Sequence, residues 1–421
     1  MHTLTEKILS SIDPEEVIDL AALLVRTNSV WDPAGGTSEQ AAAELVARWA
    51  EAQGFQVIME EVAPSRPNVM ITYAAGPGRR VLMFEGHTDV VTPGNISLWT
   101  HDPFGAEIVG RRMYGRGTND TKGNLSAMLV AMAALKKSGI PLSGTIVAGA
   151  LCDEEDQMLG VRHFIDKGHA DRVTAAVICE PQDGLICTTQ KGALRVKLTM
   201  SGKMSHGAMP LSGLNTAPAL AALIQGLHEM ELSAVTALGR DEFLGWPSFT
   251  PTVVKAPTDG APQLNVIPGE ASLLVDIRTI PLQSHPAIVG DLRHLVAKVE
   301  KSVQAHYQSY DQLLSVERCR DLTIGIDILT DRPCTRTERS DPLVLSAHRA
   351  TATVTGKEPL YGGVPGATDG TFLWALKHIP IVTMGAGDRQ IPHQKDEWIN
   401  LDQLVETAKI YALTALNYLS E

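Results

Sequence analysis

The sequence predicts an α/β protein in which a layered sheet domain is interrupted by an inserted α+β unit. Over the first 187 residues, strand-length apolar runs alternate with amphipathic helix patterns, which is typical of a sheet covered by helices. Residues 192–200 alternate apolar and polar side chains instead, as a half-exposed antiparallel strand does. The first pattern returns near the end of the chain. We therefore predict one discontinuous domain, residues 1–187 with 333–421, and an inserted domain over residues 188–332.

The first segment of the sheet domain begins with two helices that have clear start and stop signals. Residues 13–16, Asp-Pro-Glu-Glu, supply an N-cap, a proline at the first helical position and an acidic first turn, which predicts a helix to residue 26. An amphipathic helix over residues 38–53 stops at Gly54. The other predicted elements of this segment are strands 55–62, 68–73 and 80–84, helix 124–138, strand 144–151, helix 158–167 and strand 174–179.

The inserted domain and the last segment complete the predicted order. In the insert we predict strand 192–200, helix 215–231, strands 252–256 and 271–278, helix 286–305 and strand 322–329, with residues 231–251 unassigned. Strand 192–200 is predicted to lie at a sheet edge, where it could form a dimer surface. The last segment is predicted to contain helix 341–355, a turn-rich run over 362–370, a helix to residue 377, strand 379–384 and helix 401–419.

The composition excludes several classes of protein. A chain of 421 residues exceeds one ordinary core, and a charged fraction of 20% with an apolar fraction of 44% describes a globular protein. The formal net charge of −12 disfavours nucleic acid as a partner. The start of the chain lacks the apolar region of a secretory signal, and the longest apolar helix pattern, residues 125–135, is too short to cross a membrane. Because the five cysteines include no CxxC pair, we expect reduced thiols and a cytoplasmic location.

Acids or histidine follow the carboxyl ends of three successive apolar strands. His87 and Asp89 follow the first strand, residues 153–155 (Asp-Glu-Glu) follow the second, and Glu180 follows the third. Open α/β sheets bind their ligands at this edge. Taken alone, a His-x-Asp strand end or an acidic strand cap is an ordinary polar surface feature. The recurrence over three strands, together with Asp120 among glycines, favours a cation site.

Six motifs in order carry a resemblance to a known family. They are HTD at 87–89, GRGTNDTKG at 115–123, DEE at 153–155, Glu180, GKMSHGAMPLSGLN at 202–215 and GAGDRQIPH at 385–393. This set resembles the M20 metallopeptidase family, which includes acetylornithine deacetylase, succinyl-diaminopimelate desuccinylase, aminoacylases, carboxypeptidases and dipeptidases. The resemblance implies a mixed-sheet, zinc-exopeptidase-like catalytic domain, a ferredoxin-like insert that serves as lid and dimerisation domain, and a homodimer.

The resemblance also implies a role for each residue that matches a motif. It implies two divalent metal ions, with zinc as the first expectation and cobalt or manganese as alternatives. One ion would be held by His87, Asp120 and Glu180, and the other by Asp120, Glu155 and His393. Glu154 matches the general base, Asp89 the carboxylate that orients His87, and His206 the histidine that reaches the partner subunit's active site in dimeric members. Asn265 and Arg278 match positions near the substrate.

Physical chemistry supports these roles independently. Two histidines and three carboxylates can hold two zinc ions if one acid is shared, and a close metal pair activates water toward an amide bond. Glu154 could accept the proton of that water and pass it to the leaving amine. Neighbours on a regular strand point to opposite faces, so Glu154 and Glu155 must lie beyond the strand end.

Several assignments have a second interpretation. Asp89 could be a direct metal ligand, His206 a surface histidine, and Arg278 a surface ion-pair partner. For the whole chain we predict a hydrolase that cleaves the amide bond of an N-acyl amino acid, because Glu180, rather than the shorter Asp, resembles the deacylase side of the family. The alternatives are a dipeptidase or carboxypeptidase acting on short peptides, and an inert metal-binding scaffold, which would have no need for the base Glu154.

Overall fold

A computed structural model describes residues 2–314 and 322–420 of the chain. The chain divides into two compact units. The first contains Met1–Thr189, Thr335–Val364 and Thr368–Glu421, and the second contains Gln190–Cys334 with Pro365–Ala367.

The helices and strands are named in chain order. The helices are α1 (His2–Ser10), α2 (Pro14–Arg26), α3 (Gln40–Ala52), α4 (Lys122–Ser138), α5 (Leu159–Asp166), α6 (Ala217–Leu238), α7 (His285–Leu314), α8 (Pro342–Thr355), α9 (Gly370–Lys377) and α10 (Leu401–Leu419). The strands of the first half are β1 (Gln56–Ala63), β2 (Arg66–Ala74), β3 (Val81–His87), β4 (Glu107–Val109), β5 (Arg112–Tyr114), β6 (Thr145–Leu151), β7 (Ala175–Ile178), β8 (Ile186–Gln190) and β9 (Gly192–Ser201). The remaining strands are β10 (Ser205–His206), β11 (Ser248–Lys255), β12 (Val266–Ile267), β13 (Glu270–Thr279), β14 (Thr323–Arg332), β15 (Thr335–Arg336), β16 (Tyr361–Val364), β17 (Ile381–Thr383) and β18 (Trp398–Asn400).

The first unit is built on a mixed sheet with the strand order β1-β2-β6-β3-β7-β17-β8-β15, and β16 pairs with β8. The three strands that the sequence associates with the site are neighbours here, since β3 pairs in parallel with both β6 and β7. Strand β2 runs antiparallel to β6, which makes the sheet mixed. The predicted α/β class is confirmed. Parallel pairing brings the carboxyl ends of β3, β6 and β7 to one edge.

Helix α4 forms the centre of the core of this unit. Nearly all of its residues are buried, including Leu125 and Leu135, and α2 and α10 pack against it. Each fully buried leucine contributes about 1.5–3 kcal/mol relative to an exposed one. Helix α2 has the predicted N-cap, because the Asp13 side chain accepts a hydrogen bond from the backbone N–H of Glu15 at 3.0 Å. This packing fixes the residues that precede α4, which belong to the site.

The second unit is a four-stranded antiparallel sheet with the order β11-β13-β9-β14. Helices α6 and α7 pack against each other and on this sheet. Strand β9 pairs with β13 on one side and β14 on the other, so the prediction that residues 192–200 form an edge strand is wrong. Alternating burial reports a strand with one exposed face and says nothing about its edges. The unassigned stretch 231–251 contains the end of α6 and the start of β11.

Among the described residues, no helix combines the length and the apolar character needed to cross a lipid bilayer.

Candidate metal centre

Five side chains from separate elements of the first unit meet at the carboxyl edge of β3, β6 and β7. His87 is the last residue of β3, Asp120 precedes α4, and Glu180 follows β7. Glu155 follows β6, and His393 lies in the loop before β18. These are the five residues that the sequence predicts as metal ligands.

His87 lies at the centre of the first half of the site. Its Nε2 atom is 3.0 Å from Oδ1 of Asp120 and 3.4 Å from Oε1 of Glu180. Burial opposes a charge on this imidazole, but hydrogen bonds to Asp120, Asp89 and Glu180 outweigh it and raise the pKa of His87 well above its usual value. Burial, followed by the charge of Asp120, raises the pKa of Glu180 to about 7.

His393 lies at the centre of the second half. Its Nε2 atom is 3.4 Å from Oδ2 of Asp120 and 2.9 Å from Oε2 of Glu155. Hydrogen bonds to these two carboxylates raise the pKa of His393 to about 10. Burial alone would raise the pKa of Asp120, but its bonds to His393 and His87 lower the pKa instead. Asp120 therefore directs one oxygen toward each imidazole.

This arrangement fits a bound cation. One ligand atom from each of His87, Asp120 and Glu155 lies within 4.8 Å of the other two. Imidazole nitrogen and carboxylate oxygen are donors that Zn²⁺ accepts, and the same set suits cobalt or manganese.

Asp89 connects the two halves of the site. Its backbone oxygen lies 3.0 Å from Nδ1 of His87, and its Oδ1 atom lies 3.5 Å from the same nitrogen. Its carboxylate accepts the backbone N–H groups of Glu154 at 3.2 Å and Glu155 at 3.1 Å. Both glutamates lie beyond Leu151, the end of β6, which is the condition for them to face one site. Buried carboxylates that accept two N–H groups hold a turn firmly.

The Glu154 carboxyl is strongly perturbed. Burial raises its pKa well above the usual value, against the opposing charge of His87, and the charges of Asp369, Glu180 and Glu155 raise it further. A carboxyl whose pKa is raised holds a proton more readily than an ordinary one, which suits it to accept and return a proton.

Glu397, which sequence reasoning missed, holds the loop that contains Asp120. Its Oε1 atom accepts the backbone N–H groups of Gly117 at 3.0 Å, Asn119 at 2.9 Å and Asp120 at 3.1 Å. Its other oxygen forms an ion pair with Arg116. Glu397 is fully buried, and burial raises its pKa to about 7 although the charge of Arg116 opposes this. In the sequence, Glu397 is recognisable only as an acid four positions after His393. That spacing does not indicate that Glu397 contacts residues 117–120.

Lys122 is a second buried group beside Asp120. Burial lowers its pKa to about 7, and its Nζ atom donates to the backbone oxygen of Thr27 at 2.7 Å. Gly117 makes room for this side chain. It has a φ of +86°, and a Cβ atom there would lie 2.8 Å from Val90 and 3.0 Å from Cδ of Lys122. The glycines around Asp120 therefore allow close packing at this loop.

The other three predicted site residues belong to the second unit. His206 on β10 pairs with Val266 on β12, and the N–H of Gly207 donates to the backbone oxygen of Asn265 at 2.6 Å, so the structure brings His206 and Asn265 together. Both residues are exposed. Arg278 on β13 forms an ion pair with Asp276, with Nε 2.7 Å from Oδ1.

Comparison of the sequence with known protein families identifies the kind of protein that has this site. The sequence profile of peptidase family M20/M25/M40 matches residues 83–417 of the chain. The chain belongs to this family. The M20 resemblance stated from the motifs is thereby confirmed, and so is the prediction of an enzyme that hydrolyses amide bonds.

Individual M20 relatives are distant in sequence but close in fold. A probable succinyl-diaminopimelate desuccinylase of Staphylococcus aureus (strain MRSA252) is 26% identical over 367 residues, which cover 82% of this chain and 85% of the relative. An M20 family metallo-carboxypeptidase of Sulfolobus solfataricus superposes with a TM-score of 0.74 at 20% identity, over 96% of this chain and 99% of that one. A dinuclear metal binding M20 peptidase of Bacillus subtilis gives 0.69 at 16% identity, over 96% and 98%. These solved structures share the fold of this chain.

Proposed function

We propose that this M20 protein is a metal-dependent hydrolase that removes an acyl group from an N-acyl amino acid. The observation that carries the proposal is the Asp120 carboxylate, which presents one oxygen to His87 and the other to His393. A single acid between two imidazoles, each with a further carboxylate beside it, is the donor set that a pair of divalent ions needs.

Two ions, zinc in the first instance, would be held by His87, Asp120 and Glu180 on one side and by Asp120, Glu155 and His393 on the other. When bound, such a pair lowers the pKa of a water molecule and neutralises charge that develops on the substrate oxygen. The dinuclear metal binding M20 peptidase of Bacillus subtilis, which shares the fold, supports the number of ions.

Glu154 acts in this proposal as the general base. Its raised pKa allows it to accept a proton from the attacking water and to return that proton to the leaving amine. The carboxylate of Asp89 holds the backbone of Glu154 and Glu155, and its backbone oxygen contacts His87, so one residue orients the base and two of the proposed ligands. An inert scaffold has no use for a perturbed acid at this position.

The N-acyl amino acid substrate is supported by the relatives named as probable succinyl-diaminopimelate desuccinylases, which cover 82% of this chain. Arg278 and Asn265 are the proposed substrate residues, because a guanidinium binds a carboxylate through two parallel hydrogen bonds. The homodimer, with His206 donating to the substrate of the partner subunit, is part of the proposal, and sedimentation velocity of the loaded protein tests it. A monomer that retains full activity would refute that part.

A substrate panel tests the proposed activity. N-acetyl, N-succinyl and N-carbamoyl amino acids and simple dipeptides are assayed with added zinc, cobalt or manganese. We expect turnover of one N-acyl class, and a kcat/KM for that class at least about tenfold above that for any dipeptide. Turnover of dipeptides alone would replace the proposal with the peptidase alternative. No turnover of any substrate by a metal-loaded protein would favour the scaffold.

A further inference from the structure

A buried cluster of charged side chains lies behind the turn that contains Glu154. Arg66, at the start of β2, lies between two carboxylates. Its Nε atom is 2.8 Å from Oε1 of Glu39, and its Nη1 atom is 2.6 Å from Oδ1 of Asp153. The three side chains are 6%, 0% and 0% exposed, and the guanidinium lies 4.5 Å from the centre of the Trp31 ring.

Asp153 is the residue on which the shape of this turn depends. Its φ is +65°, a left-handed conformation that is uncommon for any residue except glycine. Its Oδ2 atom accepts the backbone N–H groups of Gln157 at 3.1 Å and Leu159 at 3.2 Å. Its other oxygen, Oδ1, lies 2.6 Å from Nη1 of Arg66. The ion pair with Arg66 therefore orients the carboxylate that closes the turn.

The same turn is anchored on its other side by Asp89. The carboxylate of Asp89 accepts the N–H groups of Glu154 and Glu155, the two residues that follow Asp153. A short segment whose backbone is held at both ends by buried carboxylates has few accessible conformations. Glu154 and Glu155 thus take their positions from two anchors, of which one faces the metal centre and the other faces Arg66.

We propose that Asp153, held from behind by the Arg66 guanidinium, is a positioning residue that fixes the backbone of Glu154 and Glu155 at the metal centre. The inference rests on the proposed function, because it takes Glu154 to be the general base. Arg66 lies more than eighty positions before Asp153 in the sequence and belongs to none of the motifs on which the M20 resemblance depends.

The two carboxylates of Arg66 provide a matched pair of variants. Removing the guanidinium would leave two buried acids without their counter-charge, so Arg66→Ala tests folding rather than positioning. Asp153→Asn and Glu39→Gln each convert one carboxylate on the same guanidinium into its amide isostere. The side-chain amide in Asp153→Asn has only one acceptor oxygen. That oxygen can bind either Arg66 or the two backbone N–H groups, but not both. Glu39 directs both oxygens to Arg66, away from the turn.

The decisive experiment measures both variants in the full metal-loaded chain, by steady-state kinetics and by hydrogen exchange of the backbone amides of residues 154–159. For Asp153→Asn we expect kcat to fall about 10- to 100-fold with KM nearly unchanged, and exchange of these amides to rise about tenfold or more. For Glu39→Gln we expect kcat and amide exchange within about twofold of wild type, while thermal melts of the two variants show a lower melting temperature in both.

Each outcome decides the inference. Equal changes of kcat and exchange in the two variants, or none in Asp153→Asn, would overturn it, because a purely structural ion pair would affect both variants alike. A wild-type protein that hydrolyses nothing in the substrate panel refutes the proposed function separately. In that case the exchange comparison still supports the positioning of the turn if only Asp153→Asn loses protection, and overturns it otherwise.

Discussion

The candidate metal centre of the first unit and the residues of the second unit that are proposed to bind substrate are held in different ways. At the metal centre, buried polar groups fix the backbone around the predicted residues, as Glu397 does for Asp120 and Asp89 does for Glu154. In the second unit, His206 and Asn265 are exposed, and Nδ1 of His206 accepts an N–H from Ala208, only two residues away. We infer that the backbone around Asp120 and Glu154 is rigid, whereas the exposed groups proposed to select the substrate can adjust.

The rigid region concentrates negative charge. Glu180 and Glu397 both have pKa values raised to about 7, with burial as the first cause, and Glu154 and Glu155 are raised as well. Burying several acids together is unfavourable unless cations compensate them. A divalent ion supplies such compensation, so the buried acids of this region fit a bound cation.

The largest expected effect comes from the base in the rigid region. Glu154→Gln removes the proton acceptor but keeps the size of the side chain, so kcat should fall about 10³-fold, while metal content and melting temperature stay at wild-type values. Stopped assays and elemental analysis measure the two quantities. Asp156→Asn, an exposed acid of the same turn, is the control and should retain wild-type kcat. Turnover by Glu154→Gln near the wild-type level would remove Glu154 from the mechanism.

The next effect concerns a proposed metal ligand. His393→Ala should lose one equivalent of bound metal, with affinity for that ion reduced by at least about 100-fold. Titration against a chromophoric chelator measures it. His101→Ala removes an imidazole that pairs with Glu107 and stacks on Tyr114, and this control should bind as much metal as wild type. Unchanged stoichiometry in His393→Ala would contradict the two-ion proposal.

A smaller effect is expected from the residue that holds the Asp120 loop. Glu397→Gln weakens the ion pair with Arg116 and places an amide among three backbone donors, so metal affinity should fall about 10- to 100-fold. The control is Asp402→Asn, which breaks an exposed ion pair with Arg111 and should leave affinity unchanged. If both variants bind metal as wild type does, the loop does not depend on Glu397 and the rigidity of this region has another source.

The sequence was sufficient for what depends on local pattern. Helix α10 was predicted with its observed bounds, and the strands predicted at residues 80–84, 144–151 and 174–179 are present as β3, β6 and β7. Pairing partners were not predictable in the second unit, because an alternating strand such as β9 has the same pattern at an edge and in the centre.

The supporting groups of the site were also beyond the sequence. Arg66, Glu39 and Glu397 are charged residues without a recognisable motif, and each contacts residues that are distant in sequence. A buried ion pair depends on the tertiary fold and leaves no periodic signal. The motifs predicted the residues that would touch metal or substrate, whereas the residues that support them required the structure.

The pKa of His393 leads to a prediction about pH. Its imidazole, with a pKa of about 10 that is raised by Asp120 and Glu155, is protonated at neutral pH, and a metal ion must displace that proton. Apparent affinity should therefore fall as pH falls, by up to about tenfold per pH unit for this one proton. Zinc competition over several pH values, with calorimetry in buffers of different ionisation enthalpy, measures the slope and the protons released. His393→Ala should release about one proton fewer, and an equal release in both proteins would contradict the assignment.

The smallest effect is expected in the adjustable region. Arg278 and Arg195 both contact Asp276, with Nε of Arg278 2.7 Å and Nε of Arg195 3.3 Å from its carboxylate oxygens. If Arg278 binds the substrate carboxylate, Arg278→Ala should raise KM about tenfold with kcat changed less, and metal content should stay the same. Arg195→Ala removes the other guanidinium from the same acid and should change KM by less than about twofold. Equal changes in the two variants would mean that Asp276 alone matters, and an unchanged KM in both would place substrate recognition elsewhere. A large loss of kcat in Arg278→Ala would instead show that this residue acts in the transition state, and that the second unit is as firmly organised for chemistry as the first.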